Sequence, residues 1–228
     1  MKKVVLYLLA VVLVVGAIGL GATSALAAVG ATLKVGTLGV GADMTIGISK
    51  KLNARANLNY FTYGKTINED EDEDGSGGGT IKPELNLFTM GALLDWHPWA
   101  KGFRVSAGLY LNKNKLDLTA ETSDTVDFND HEYSVSDIGG KVDFNSLAPY
   151  FGIGYGNAVQ ANGHWHFSFD IGAMFSGSPH AALWATASDP ALQPQLDADI
   201  AEEVKDIEDE LEVFSIHPVV SLGVSYLF

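Results

Sequence analysis

The closing stretch of the chain constrains the fold more than any other. From Phe214 to Phe228 it reads Phe-Ser-Ile-His-Pro-Val-Val-Ser-Leu-Gly-Val-Ser-Tyr-Leu-Phe, and every second residue is apolar or aromatic. The positions between are mostly serine, glycine or histidine. A period of two residues places one kind of side chain on each face of a β-strand. The chain is therefore predicted to end in a strand with one apolar face.

The other end of the chain indicates where it is sent. Two lysines open the sequence, residues 4–20 are apolar, and an Ala-Leu-Ala triplet ends at Ala27. A basic start, an apolar middle and an A-x-A site form the pattern of a secretory signal peptide. We predict that residues 1–27 are this signal, cleaved after Ala27, and that 28–228 is the mature chain. The alternative is a retained membrane helix, because the apolar run is close to the ~20 residues that span a bilayer.

The composition narrows the class of protein further. The 228 residues include no cysteine and 25 glycines, and the formal net charge is −14. A secreted chain without disulfides must be stabilised by an apolar core or by a closed sheet. Glycine is unfavourable within strands, but it fits where side chains crowd the inside of a narrow barrel. The negative charge argues against a nucleic-acid partner, because such binding needs a basic surface.

Six further segments show the alternation of the closing strand. Apolar residues fill every second position, and small or polar residues lie between them, as expected when one face contacts lipid and the other lines a lumen. These predicted strands cover residues 36–49, 54–66, 80–96, 145–159 and 164–186, and one more starts at Phe103, shifts phase near Lys113 and continues as a polar strand beyond the membrane. Short connections at 50–53, 97–102 and 161–163 alternate with long polar ones at 67–79, 120–143 and 187–213. Short periplasmic turns and long external loops are typical of outer-membrane barrels.

The strand count decides the architecture. Single-chain bacterial barrels have an even number of strands, and residues 28–35, before a reversal of the apolar phase at Gly36, are the best candidate for the missing one. We therefore predict an all-β membrane protein, an eight-stranded antiparallel transmembrane β-barrel. The competing architecture is a soluble periplasmic β-sandwich. The long apolar faces of the strands and the glycine-rich faces opposite them favour the barrel.

Residues 189–212 depart from the strand pattern. Asp189-Pro190 is typical of a helix start, and apolar residues then recur at spacings of three and four. Nine acidic residues lie between Asp197 and Glu212, opposed only by Lys205. We predict an amphipathic, acidic helix inserted into the last long loop, where it caps the mouth of the barrel. The alternatives are that it lies at the membrane interface or docks a partner.

Four segments carry a resemblance to a known family: Lys34-Val-Gly-Thr-Leu-Gly-Val-Gly, Leu93-Leu-Asp-Trp-His-Pro, Pro149-Tyr-Phe-Gly-Ile-Gly-Tyr-Gly-Asn and Pro218-Val-Val-Ser-Leu-Gly-Val-Ser-Tyr. The chain resembles a largely uncharacterised family of small Gram-negative outer-membrane β-barrel proteins, similar in plan to the OmpA and OmpW barrels. The resemblance implies a bacterial outer-membrane location and brings no catalytic motif. The closing strand also resembles the C-terminal assembly signal of such barrels. That resemblance implies contact with the barrel-assembly machinery through Val220, Leu222, Val224, Tyr226 and Phe228.

Charged residues on the predicted lumen faces form the main candidate site. They are Asp43, Arg55, Asp95, Arg104, His166 and Asp170. An eight-stranded barrel is just wide enough to be filled by its own side chains, and unpaired charges inside it would be costly. We expect an ion-pair network that holds the interior closed. A narrow ion path is the alternative.

A weak metal pattern lies in the first acidic loop. Asp70, Asp72 and Asp74, followed by Gly75, have the D-x-D-x-D-G spacing of a calcium loop. The twelfth position of such a loop, which needs a bidentate glutamate, is Ile81. We therefore predict a solvated acidic loop and no metal site.

A weak catalytic pattern lies on one predicted strand. His166 and Ser168 have the chemistry of a base and a nucleophile, and Asp170 follows on the same face. Residues at i, i+2 and i+4 on a polar face also arise from alternation alone. We therefore expect no catalytic residue, with a lipid-modifying hydrolase or acyltransferase as the alternative.

The functional expectation follows from these points. We expect a structural, envelope-integrity or small-solute barrel without chemistry of its own and without a cofactor. Its expected partners are outer-membrane lipids and lipopolysaccharide. The alternatives are the lipid-modifying enzyme and a surface recognition or adhesion protein that acts through its acidic loops on an unknown surface or envelope protein.

Overall fold

A computed structural model describes residues 28–69, 79–122, 125–129, 131–160 and 163–228. Most of this part of the chain is antiparallel β-strand, and it contains one α-helix. Within it, no helix is both long and apolar enough to cross a membrane. The predicted signal peptide over residues 1–27 and its cleavage after Ala27 lie outside the described residues.

The strands alternate with turns along the whole described chain. Their bounds are β1 (Val29–Gly36), β2 (Gly39–Ser49), β3 (Leu52–Gly64), β4 (Ile67–Glu69), β5 (Gly79–Trp96), β6 (Phe103–Asn112), β7 (Lys115–Thr122), β8 (Thr125–Phe128), β9 (His131–Asp143), β10 (Leu147–Tyr155), β11 (Trp165–Phe175), β12 (His180–Ala187) and β13 (Ile216–Leu227). The helix α1 (Gln193–Glu210) runs into a short 3-10 helix (Leu211–Ser215) before β13. The strand predicted over residues 28–35 is present as β1.

Antiparallel pairing joins the strands edge to edge. It runs from β1 to β2, β3, β5, β6, β10, β11 and β13 in turn. The first strand also pairs with the last, from Gly30 opposite Leu227 to Gly36 opposite Ser221. Hydrogen bonds therefore occupy both edges of β1, and the reversal of phase seen in the sequence near Gly36 is the turn between β1 and β2.

The two faces of this sheet differ as the alternation predicts. In β10, residues alternate between exposed and buried without exception from Leu147 to Tyr155. The exposed face carries leucine, isoleucine, valine and aromatic side chains, with Leu33 at 73% and Phe167 at 81% of full exposure. The opposite, inner face is buried and mostly polar. An apolar outside around a polar inside is the reverse of a water-soluble core.

The same sheet continues beyond these strands, because β5 is 18 residues long. Its second half pairs with β6, whereas its first half pairs with β7. The strand β7 pairs in turn with β9, and β9 pairs with β12. We call residues 79–86 of β5 together with β7, β9 and β12 the distal sheet.

Two sequence predictions fail in this region. Residues 120–143 were expected to be a polar connection but contain the end of β7, β8 and β9. Their polar residues are interleaved with Tyr133, Val135, Ile138 and Val142, which is enough for strands that bury only one face. The predicted strand over 164–186 is instead two strands, β11 and β12. The strand is interrupted at Gly177, which has a φ of 71° and lies two residues before Pro179.

The helix begins later than predicted. Asp189 does not cap α1, because its carboxylate accepts a hydrogen bond from the Ala191 amide at 2.9 Å and so closes a separate turn. The helix proper begins at Gln193 and ends at Glu210. It packs mainly against β12, with further contacts to β8. It therefore lies over the distal sheet.

Candidate functional site

The inner face of the sheet carries the densest group of charges in the described chain. Asp43, Arg55, Asp95, Arg104 and Asp170 lie on β2, β3, β5, β6 and β11, and all five are buried. Each occupies an inner position because the period-two alternation of its strand places it there. Together with Lys34 on β1, they form the inner ion network.

Arg55 is the centre of the network. Its Nη1 lies 3.3 Å from Asp43 Oδ2 and 3.3 Å from Asp170 Oδ2. Its Nη2 donates to Asp95 Oδ1 at 2.9 Å and to Ser106 Oγ at 3.2 Å. The hydroxyl of Ser106 also donates to Asp95 Oδ1, at 2.6 Å. One guanidinium therefore ties together carboxylates from three strands.

Arg104 makes the second centre, with Asp170. Its Nη2 lies 2.8 Å from Oδ1 and 2.9 Å from Oδ2 of that carboxylate, and its Nη1 donates to the carbonyl oxygen of Gly156. The position between them must be glycine, because a Cβ at Gly154 would lie 2.7 Å from Asp170 Oδ1 and 3.1 Å from Arg104 Nε. The glycines of this face therefore create the space that the charges fill.

Sequence reasoning missed Lys34. Its Nζ lies 2.9 Å from Asp43 Oδ1, and its side chain is 8% exposed. The residue falls in the segment before the phase reversal, where the inner face could not be assigned with the same phase as in β2. Its opposition to Gly41 across the β1–β2 pairing is the signal that places it inside. With Lys34 included, three cations face three carboxylates and the network is neutral.

An apolar layer lies next to the network on the side of the distal sheet. Its members are buried on the same inner face: Leu38, Leu93, Tyr110, Ala148, Tyr150, Met174 and Val219. The rings of Tyr110 and Tyr150 meet edge to face, with centroids 5.5 Å apart. Tyr110 is 1% exposed and Met174 is fully buried. The period-two alternation of β6 and β10 places both tyrosines on the inner face, and their ring contact depends on the register between these strands.

At the other side, the network ends in a small polar cavity. It is lined by residues such as Asn53, His97 and Asn157, and its volume of about 10 Å³ is near the minimum that holds one water. The Asn53 amide nitrogen lies 3.1 Å from His97 Nε2 and 3.1 Å from Asn157 Oδ1. Burial lowers the pKa of His97, which lies in the turn after β5. On this side, the inner face therefore leaves little free volume directly beside the ion network.

His166 does not join the network, contrary to the sequence prediction. Its Nε2 lies 3.1 Å from the carbonyl oxygen of Gly163, near the end of β11 and away from Arg55. Asp170 is held by Arg104 and Arg55 instead. The base, nucleophile and acid of the weak catalytic pattern are thus not brought together as a relay.

The metal pattern cannot be placed in the same way. Asp70, Asp72 and Asp74 lie outside the described residues. Within the described ranges, no group of three or more histidine, aspartate or glutamate side chains is arranged to hold a metal ion.

The distal sheet has its own apolar core. Phe128, Tyr133 and Val135 pack with Ala185, Ala187, Leu196 and Ile200. At the edge of this core, the Asp199 carboxylate of α1 accepts hydrogen bonds from the Tyr133 hydroxyl and from His131 Nδ1, the latter at 3.0 Å. The bond from Tyr133 lowers the pKa of Asp199, against the opposing effect of burial. Burial, followed by the contact with Asp199, raises the pKa of Tyr133 to about 12.

The closing strand carries its aromatic residues at one end. The Tyr226 ring lies 5.0 Å from the Trp165 ring and 5.3 Å from the Phe228 ring, centroid to centroid. Its apolar face, with Val220, Leu222 and Val224, points outward. The predicted assembly residues therefore form one exposed stripe that ends in an aromatic cluster.

Comparison with known proteins identifies solved structures that have a similar fold. No family model matches the chain, and no curated protein matches its sequence. Acinetobacter baumannii CarO2 is similar in structure, with a TM-score of 0.56 at 20% identity over 89% of this chain and 99% of CarO2. CarO of the same organism gives 0.54 at 22% identity over 90% of this chain and 100% of CarO. A major outer membrane protein from Thermus thermophilus, at 11% identity over 88% of this chain and 98% of that protein, has a TM-score of only 0.39.

The CarO proteins are outer membrane proteins, and their likeness covers about nine tenths of this chain. The resemblance that the sequence predicts is therefore confirmed at the level of the fold: the chain has the fold of Gram-negative outer-membrane β-barrel proteins.

Proposed function

We propose that the chain is an eight-stranded transmembrane barrel of the bacterial outer membrane that does not conduct and serves a structural role in the envelope. The pairing of β1 with both β2 and β13 supports closure, since it leaves neither edge of the first strand free. The exposed apolar face supports contact with lipid, because a lipid-facing band of this kind surrounds such barrels. Exposed Trp96, Trp99 and Trp165 fit an aromatic girdle near the turns.

The direction of the barrel follows from its ends. A signal peptide cleaved after Ala27 and a C-terminal strand read by the assembly machinery would leave both termini in the periplasm. The turns at 50–51 and 97–102 then face the periplasm, and the distal sheet and α1 face outward among lipopolysaccharide. Outer-membrane lipids and lipopolysaccharide are the partners of the barrel wall in this proposal.

The filled interior is the observation that supports a barrel that does not conduct ions. Three cations and three carboxylates neutralise one another in the inner ion network, so none is left to attract a passing ion. The apolar layer beside it contains two tyrosines and a methionine that are buried almost completely. An eight-stranded barrel has little more space than its own side chains fill.

The proposal includes no chemistry of its own. His166 is engaged by the Gly163 carbonyl and Asp170 by two arginines, so neither supports a role for Ser168 as a nucleophile. Lipid A mass spectra from cells with and without the gene test this point. If the lipid A from the two strains differs by an acyl chain, the protein is a lipid-modifying enzyme and the structural role is wrong.

Recordings in planar bilayers test the closed interior. The purified barrel is expected to insert without steady current steps. A variant with Tyr110→Ala, Tyr150→Ala and Arg55→Ala removes the apolar layer and the centre of the network, and it is expected to pass ions. Heat-modifiable gel migration verifies that each protein is folded. Steady, ion-selective steps from the unaltered protein would refute the proposal.

Surface recognition is a second candidate, and the distal sheet favours it. This sheet has a core separate from the apolar layer and presents the acidic face of α1. Adhesion of intact cells to surfaces of defined charge tests it, with Asp206→Asn and Glu210→Gln as variants at exposed positions. Recognition through the acidic face predicts weaker adhesion of the variants to cationic surfaces, and equal adhesion would exclude it.

A further inference from the structure

Acidic residues are distributed very unevenly along the chain. Of the 28 aspartates and glutamates, three belong to the inner ion network, and the other 25 lie within residues 69–84, 117–143 and 189–212. These ranges include parts of the distal sheet and the whole of α1. Outside the inner ion network, the acidic side chains are thus confined to three segments of the sequence.

The turns at the end of the barrel opposite the distal sheet have the reverse character. They span residues 47–53, 96–103 and 156–164, and none of them contains an aspartate or a glutamate. Three exposed lysines lie in these turns, and we call them the turn lysines: Lys50, Lys51 and Lys101. Because these turns contain no acidic side chain to neutralise the lysines, this end of the barrel presents cationic side chains in a chain with a formal net charge of −14.

A cavity of about 630 Å³ lies between the three turns. Its lining includes Lys50 and Gln160, and it contains no carboxylate side chain. Asn53 and Asn157 line both this cavity and the small polar cavity beside the inner ion network, so they lie between the two. The Asn53 amide donates to Asn157 Oδ1 at 3.1 Å, and the Val159 amide donates to the same oxygen at 3.2 Å. A cavity of this size is within the range that holds a small ligand.

The cavity adjoins the apolar exterior of the barrel. Ile48, which lines the cavity, is exposed at the end of β2. Trp96 and Trp99 are exposed at the end of β5 and in the turn that follows. Tryptophan is enriched at the boundary between membrane and water, where lipid headgroups lie. The turn lysines are therefore at the level of the headgroups, and the wall beside the cavity is at the level of the acyl chains.

We propose that this cavity and the turn lysines bind the phosphate headgroup of an anionic phospholipid. The inference rests on the proposed function, in which these turns face the periplasm and lipopolysaccharide lies at the opposite end. The Lys50 ammonium and the Gln160 side-chain amide can both donate hydrogen bonds to a phosphate, and those from a charged donor are the stronger. The other two turn lysines attract the anionic lipid to the cavity. The acyl chains then follow the outer face of β2 from Ile48.

The tryptophans allow binding at this end to be measured. Trp96, Trp99 and Trp165 lie near the cavity, and Trp184→Phe in every background removes the one tryptophan of the distal sheet. The purified barrel is reconstituted in phosphatidylcholine vesicles that contain increasing fractions of brominated phosphatidylglycerol. Quenching of tryptophan fluorescence gives the binding constant of the anionic lipid relative to phosphatidylcholine. A lysine near an anionic lipid contributes about fivefold, so we expect a preference of at least about fivefold that is lost when all three turn lysines are replaced by glutamine.

A matched control removes the same number of charges far from the cavity. It replaces three other exposed lysines with glutamine: Lys65, Lys82 and Lys205. This control is expected to keep the full preference for phosphatidylglycerol. Lys50→Gln is expected to weaken the preference more than Lys51→Gln does, because Lys50 lines the cavity and Lys51 lies outside it.

Several results would overturn the proposal. They are a relative binding constant near one for the unaltered barrel, an equal loss in the two triple variants, and equal effects of Lys50→Gln and Lys51→Gln. Inorganic phosphate is added at the same ionic strength as a chloride control. Relief of quenching by phosphate alone would identify a site for free phosphate and would also overturn the assignment to a lipid. Heat-modifiable migration separates the two levels of inference: a folded, inserted barrel without the preference contradicts this proposal alone, whereas a chain that does not insert contradicts the proposed function.

Discussion

Replacing the centre of the inner ion network tests whether that network stabilises the barrel. Arg55→Met keeps much of the length of the side chain but removes a guanidinium that contacts Asp43, Asp95 and Asp170. The network then holds two cations and three carboxylates, all buried. Breaking a buried ion pair by removing one partner typically costs ~3–5 kcal/mol, because the remaining charge is left without compensation. We expect a loss of at least this order in the free energy of unfolding.

A second substitution separates charge balance from packing. Arg55→Met with Asp95→Asn leaves two cations and two carboxylates, so the interior is neutral again. We expect the double variant to recover a large part of the stability lost by Arg55→Met. Lys82→Met serves as the control, because Lys82 pairs with Glu121 at the surface with its side chain 47% exposed. Exposed pairs of this kind contribute ~0–1 kcal/mol.

These differences in the free energy of unfolding are measured by urea unfolding of the protein in lipid vesicles, which is followed by tryptophan fluorescence. Heat-modifiable migration shows how much of each variant is folded at the start. If the Arg55→Met variant is as stable as the unaltered protein, the central cation of the network does not stabilise the barrel and the prediction is wrong. A double variant no more stable than Arg55→Met would refute the part of it that depends on charge balance.

Three further outcomes follow from the structure. Gly108→Ala is expected to lower the free energy of unfolding by ~1–3 kcal/mol or more, because the new Cβ would clash with the Ala92 carbonyl oxygen. Gly64→Ala is the control, since a Cβ there meets nothing nearer than 3.7 Å and should change the stability little. Urea unfolding of the two variants compares these effects. The lowered pKa of Asp199 predicts that α1 stays docked above pH 3.8, the ordinary pKa of an aspartate, and loosens as the pH falls through the folded-state pKa. Hydrogen exchange of α1 measures this loosening, and Asp199→Asn should abolish its dependence on pH. The raised pKa of Tyr133 predicts docking that is intact below pH 10 and is lost as the pH rises towards about 12; Tyr133→Phe should remove this alkaline step, and a step that persists would assign it to another group.

The repeating strands could be predicted from the sequence because they obey a local rule. In β6 and β10, the period of two residues is uninterrupted. β6 starts at the predicted Phe103 and ends at Asn112, just before the predicted phase shift, and β10 lies within the predicted range of 145–159. The same rule placed Asp43, Arg55, Asp95, Arg104 and Asp170 on one face. A face is a property of a single strand, so alternation alone is enough to assign it.

What could not be predicted depends on register between strands. Whether Arg55 reaches Asp170, 115 residues away, depends on how β3 and β11 are staggered across the interior. His166 lies on the same face as Asp170 but four residues nearer the start of β11, and this offset is enough to exclude it from the network. The distal strands were missed for another reason. Their polar residues resemble those of a loop, and their pairing with one another is visible only once β5 is known to extend past β6.

Engineered disulfides measure most directly whether the sheet closes on itself as a barrel. Leu33 lies opposite Val224 across β1 and β13, and it lies opposite Ala42 across β1 and β2. In a chain without native cysteines, Leu33→Cys with Ala42→Cys reports the hairpin, and Leu33→Cys with Val224→Cys reports the contact between the first and last strands. A closed barrel predicts that both pairs form disulfides in the isolated outer-membrane fraction. A disulfide in the hairpin pair without one between Leu33→Cys and Val224→Cys would show an open sheet and contradict the account.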